Sequence, residues 1–176
     1  MGIDTLAQQL SPPTTPVDAP TEDDCLRAIA QLRIRPPEEY LRFARLFGVG
    51  SIGQELFVFI PWATNENLDL IRQAPNQLAA LAELKRAAPH LVPFPLWYEP
   101  GGFFPWGVSN NGDIFGWLTQ GLQGNWKTAV VWEGDPPEVF DLSMTEFLCG
   151  LLSGTLDSEV YAEAPLLTDS VFRPIE

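Results

Sequence analysis

The stretch Phe104-Pro105-Trp106-Gly107-Val108-Ser109-Asn110-Asn111-Gly112-Asp113-Ile114-Phe115-Gly116-Trp117 decides the fold. Asn-Gly is the strongest short-range hairpin signal, because both residues tolerate the positive φ that a tight β-turn demands. It predicts strands on either side, near 103–108 and 113–119. Downstream, Thr128 to Trp132 reads as a third strand. Pro136-Pro137 makes a turn, and Val139-Phe-Asp-Leu142 reads as the next strand. Upstream, Leu56 to Ile60 is a continuous apolar run typical of a buried strand, and Leu96 to Glu99 reads as a short one. A run of strands joined by tight turns is an antiparallel meander.

Helices frame this centre. Thr21-Glu-Asp-Asp24 caps a first helix, with Leu26, Ile29, Ala30 and Leu32 as its apolar face. Pro36-Pro37 opens a second, with Tyr40, Leu41, Ala44 and Phe47 as an amphipathic stripe and Gly48 as its stop. Gly48 to Gly53 then reads as a loop. Asn65 and Asn67 precede a helix start that Pro75 interrupts, and an Ala- and Leu-rich helix is expected over about 77–87. Ser143-Met-Thr-Glu146 is a capping box for a last helix carrying Phe147, Leu148, Leu151 and Leu152, closed by Gly154. The expected class is α+β: a largely antiparallel sheet of about five or six strands with helices packed on it. Residues 1–20, broken by Pro12, Pro13, Pro16 and Pro20, read as a flexible leader. Residues 21–156 form the domain, and 157–176 a weakly patterned tail.

Several of these words in this order resemble the SUKH superfamily, the Smi/Knr-like group that includes the fungal cell-wall-synthesis regulator. They are Glu38-Glu-Tyr40-Leu-Arg-Phe43, Phe47-Gly48-Val-Gly50-Ser-Ile-Gly53, and Phe104-Pro-Trp106-Gly107 running to Asn111-Gly112-Asp113 ahead of Trp117. Asn125-Trp126, Val130-Val131 and Ser143-Met-Thr-Glu146-Phe147-Leu148 complete the set, which spans about residues 21–156. The resemblance implies an α+β domain that binds rather than catalyses. Bacterial members are mostly immunity proteins that neutralise a toxin, often a nuclease or deaminase, in the cytoplasm of the cell that makes it. The fungal members imply the alternative of an intracellular regulator or scaffold. The helix near 77–87 and the tail after 157 match nothing in the family pattern.

Charge points the same way. With 23 acidic and 10 basic side chains the net charge is −13 over 176 residues. Such a surface repels nucleic-acid backbones and anionic membranes, and either attracts a basic protein partner or simply keeps the chain in solution. Cys25 and Cys149 sit inside apolar helical patterns and read as buried small hydrophobes, which fits a reducing compartment. No signal peptide is recognisable, no apolar run is long enough to span a membrane, and Leu6 stands where a myristoylation motif needs Ser or Thr. His90 is the one histidine, so a nucleophile–histidine arrangement or a zinc site has little to build on. No phosphate-binding or dinucleotide fingerprint implies a cofactor, and none is expected.

Glu99, Asp113 and Glu133 are the carboxylates that strand ends would have to bring together for acid–base chemistry. Trp106, Trp117, Trp126 and Trp132 are either aromatic core or binding anchors, and Trp126, in a Gly-rich loop, is the best candidate for exposure. Asn110, Asn111 and Asp113 shape the central turn. Glu99, Trp106, Asn110, Asn111, Asp113, Trp117, Trp126 and Glu133 are therefore the expected partner-binding residues.

Overall fold

The computed structural model describes residues 2–161, 166–167 and 169–176. Seven antiparallel strands form one open sheet with helices packed on it. The strands are β1 Gly50–Ile52, β2 Leu56–Val58, β3 Phe103–Ser109, β4 Ile114–Leu118, β5 Lys127–Val131, β6 Glu138–Phe140 and β7 Phe172–Pro174. Their order is β6-β5-β4-β3-β2-β1-β7. The central hairpin lies where the Asn-Gly signal puts it, with Val108 opposite Ile114 and Gly112 at φ 89° in the turn.

Alternation along the strands builds two cores, because successive side chains point to opposite faces. Phe104, Trp106, Phe115, Trp117 and Val130 face the larger one. There the helices α1 Ile3–Leu10, α2 Glu22–Leu32, α3 Glu38–Phe47 and α5 Met144–Ser153 contribute their apolar stripes. Tyr40 meets Trp117 edge-on at 5.2 Å, and its hydroxyl donates to the Phe59 carbonyl at 2.6 Å. Phe103, Ala129 and Val131 face the smaller core, closed by the C-terminal half of α4 Leu70–Ala87 through Leu81, and by Val92, Phe94 and Leu96. Gly116 lies on this face beneath the Phe103 ring, which a Cβ would meet at 2.2 Å, so only glycine fits. Both cysteines are buried, as read.

The differences from the sequence reading have physical causes. Two strands escape it: β1 lies inside the Gly48–Gly53 loop, and β7 inside the tail. Neither has apolar alternation, and each is held by its neighbour, Ser51 pairing with Arg173 and Ile52 with Phe172. Leu96–Glu99 is not a strand; Leu96 makes one isolated bridge to Phe103. Pro75 does not end the helix. It removes one N–H from a helix of 18 residues, while Leu70, Ile71, Ala74 and Leu81 bury on both sides of it. The α2 face is turned from the expected one: Cys25, Ala28 and Leu32 are buried while Leu26 is exposed.

The expected flexible leader is the largest correction. Residues 3–10 are helical, and Ile3, Leu6 and Leu10 bury against the domain. Val17 then bridges Gly48, whose φ of 65° and missing Cβ let the Val17 carbonyl approach. The prolines break helix only after Leu10, so they bend the segment rather than free it.

Candidate functional site

Strand register sorts the expected binding residues into three groups. Leu56 pairs with Ser109, Ile114 with Val131, and Val130 with Glu138. One end of the sheet therefore gathers the β1–β2, β3–β4 and β5–β6 turns, with Asn110, Asn111, Asp113 and Glu133. Phe103 pairs with Leu118, and Leu118 with Lys127. That places Glu99 and Trp126 at the opposite end, about 20 Å away along a seven-residue strand. Trp106 and Trp117 lie between, fully buried. They are core residues and reach no partner, which corrects their expected role. The rings of Tyr40, Phe104, Phe115, Trp126 and Phe147 pack around the pair: Trp106 stacks on Phe115 at 5.5 Å and Trp117 on Phe104 at 6.0 Å.

The turn end is built tightly. The Ser109 hydroxyl accepts from the Asn111 and Asp113 amides at 3.2 and 3.1 Å and donates to the Asp113 carboxylate at 2.8 Å. The Tyr161 hydroxyl donates to the same carboxylate at 3.2 Å. Burial first, and then the Asp113 charge, push the Tyr161 hydroxyl well above its ordinary pKa. Asn110 donates to the Gln54 carbonyl at 2.7 Å and the Glu55 carboxylate at 3.3 Å, tying the central hairpin to the β1–β2 turn. Asp113 is thus a buried structural carboxylate, whereas Asn110, Asn111 and Glu133 are exposed.

Around this end the fold gathers Glu55, Glu133, Asp135, Glu138, Asp157 and Glu159. Glu138 accepts from the Ser158 hydroxyl at 2.6 Å and the Glu159 amide at 2.5 Å, which fixes the 157–161 segment against β6. Among the described residues none of these six carboxylates forms an ion pair. Arg173, opposite Ser51 on β7, is held in two bonds by Asp169, at 2.9 and 2.7 Å. A concavity of about 620 Å³ opens here between Trp132, Asp135, Glu138, Asp157 and Glu159. The Trp132 indole N–H donates to the Pro136 carbonyl at 2.8 Å, so the ring is fixed as its wall.

The opposite end differs in kind. Trp97 and Trp126 line a groove of about 670 Å³ with Phe94 and Pro95. Trp126 is half-buried and lies 6.2 Å from the Trp117 ring. Tyr98 and Leu122 are exposed nearby, at 61% and 78%. The Trp97 indole N–H donates to the Leu32 carbonyl at 3.1 Å and the Gln123 amide to the Arg35 carbonyl at 2.6 Å. Arg33 and Arg35, which pair with no carboxylate among the described residues, therefore border this end.

The register puts Glu99 at the far end from Asp113 and Glu133, so these three carboxylates do not converge. Among the described residues no cluster of His, Cys, Asp or Glu has the geometry to hold a metal ion. No helix among them is long and apolar enough to cross a membrane. Sequence reasoning weighed Trp132 with the other tryptophans but missed Asp135, Glu138, Asp157 and Glu159. The run Trp132-Glu-Gly-Asp-Pro-Pro-Glu138 carries a signal, since it puts three acids in one turn. Asp157 and Glu159 carry none, because only the fold brings the tail to β6. Comparison of the chain with family models, characterised proteins and solved structures finds no match.

Proposed function

We propose that this chain is a non-catalytic binding protein of the SUKH kind, an immunity protein that neutralises a basic toxin domain in the cytoplasm by covering its substrate groove. One observation carries the reading: the net charge of −13 leaves a set of unpaired carboxylates on a rigid end of the sheet. A nuclease or nucleic-acid deaminase presents a cationic groove to its polyanionic substrate, and a fixed acidic surface is its electrostatic complement. Rigidity matters because ordering a loose surface on binding costs affinity. Here the turns are locked to one another by Ser109, Asn110, Tyr161 and Glu138 before any partner arrives.

The second reading is the intracellular regulator or scaffold. It draws on the aromatic groove at the opposite end, which gives the molecule a second surface of different chemistry.

A contact competition between strains of the host tests the first reading. Cells lacking the gene are expected to die beside the parent and to survive when the gene is restored on a plasmid. Equal growth of the deletion strain and the parent contradicts immunity and supports the scaffold.

A further inference from the structure

Next to the acidic turn end, the last turn of α5, the end of α1 and the edge strand β6 enclose an apolar groove of about 720 Å³. Val139, Phe140, Leu142 and Leu156 form its floor. Val139 is 48% exposed on a strand that no described residue pairs on its outer side. Gly150, inside α5, lines the groove beside Leu156. Three features give the rim a negative potential. Asp157 lines it, has no ion pair, and also lines the acidic concavity beside Trp132. Gln9 and Ser153 bring to it the C-terminal ends of α1 and α5, the negative ends of the two helix dipoles. Neither helix has a basic residue in its last turn to offset that charge. Asp141, also in the lining, pairs with Lys127 at 3.5 Å.

We propose that this groove seats a segment of the partner protein in which an apolar side chain is flanked by Lys or Arg, the apolar group entering over Val139 and Leu156 while its neighbours reach Asp157 and the helix ends. The inference rests on the basic partner of the preceding section and adds where it anchors. Buried apolar anchors hold complexes together and rim charges speed their formation, so the groove and the acidic end act on different steps.

The test uses the full chain and a fluorescent peptide, Lys-Arg-Leu-Phe-Lys-Arg, read by anisotropy. Two control peptides replace Leu-Phe by Gly-Ser, or all the cations by Glu. Gly150→Phe fills the groove; a Cβ there meets Leu156 at 3.4 Å, an ordinary contact. Val139→Ser removes the exposed floor without touching the core, and Asp157→Lys reverses the rim. The wild type is expected to bind the basic apolar peptide at least about tenfold more tightly than either control, and each variant to lose at least about tenfold. Equal binding of the Gly-Ser peptide, absence of binding by the wild type, or variants within about twofold of the wild type overturn the proposal. No toxin enters this experiment, so its failure removes the groove and leaves the contact competition to judge immunity.

Discussion

Thr128 lies opposite Trp117 in the sheet and is fully buried, yet no group among the described residues hydrogen-bonds its hydroxyl. A buried hydroxyl without a partner is unfavourable, and valine has nearly its shape. Thr128→Val is expected to stabilise the protein by about 1 kcal/mol, seen as a higher thermal midpoint; a lower midpoint shows that the hydroxyl is satisfied. Tyr40 gives a pH prediction. Burial holds its pKa well above the ordinary tyrosine range near 10, with Cys25 and Asp69 adding to the rise. A raised folded pKa means the folded state keeps a proton that the unfolded chain releases. Stability is therefore complete below about pH 10 and falls as pH rises beyond it. Tyr40→Phe is expected to lose about 1 kcal/mol at neutral pH, with the Phe59 hydrogen bond, and to flatten the alkaline decline in urea titrations. At this scale the sequence was readable where a residue shapes its own backbone, as Gly112 and Ser143 do. It was ambiguous for Trp106 and Trp117, because alternation gives a face but does not say which face is covered.

Elements with local signals were legible, and elements held by distant ones were not. Both capping boxes, at Thr21 and Ser143, form as their spacing demands. Ser143→Ala is expected to destabilise by about 1 kcal/mol through loss of the Glu146 amide bond. The helix α1 hides in a proline-rich stretch because its stripe of Ile3, Leu6 and Leu10 is short and its stability comes from α5. Leu6→Ala is expected to destabilise by about 2–5 kcal/mol, as a fully buried leucine does, whereas a flexible leader would lose nothing. Denaturant titration separates the two. Strands β1 and β7 are three residues each and have meaning only as partners, so no window of sequence reveals them.

Over the whole molecule, composition supplied the sign of the charge but not its placement. The chain has acids throughout; register and the returning tail gather unpaired ones at one end and leave Arg33 and Arg35 by the other. The expected binding residues are scattered in space: Asn110, Asn111, Asp113 and Glu133 share the acidic end, Glu99 and Trp126 lie across the sheet, and Trp106 and Trp117 are core. The account turns on that acidic end being the binding surface. The direct measurement is affinity capture of the tagged chain from its host, in parallel with a Glu133→Lys/Asp135→Lys/Glu159→Lys variant, the bound proteins being identified by mass spectrometry. One basic toxin domain is expected with the wild type, released at high salt, and none with the variant. Equal capture by both, or recovery of cell-wall or signalling enzymes instead, would contradict it.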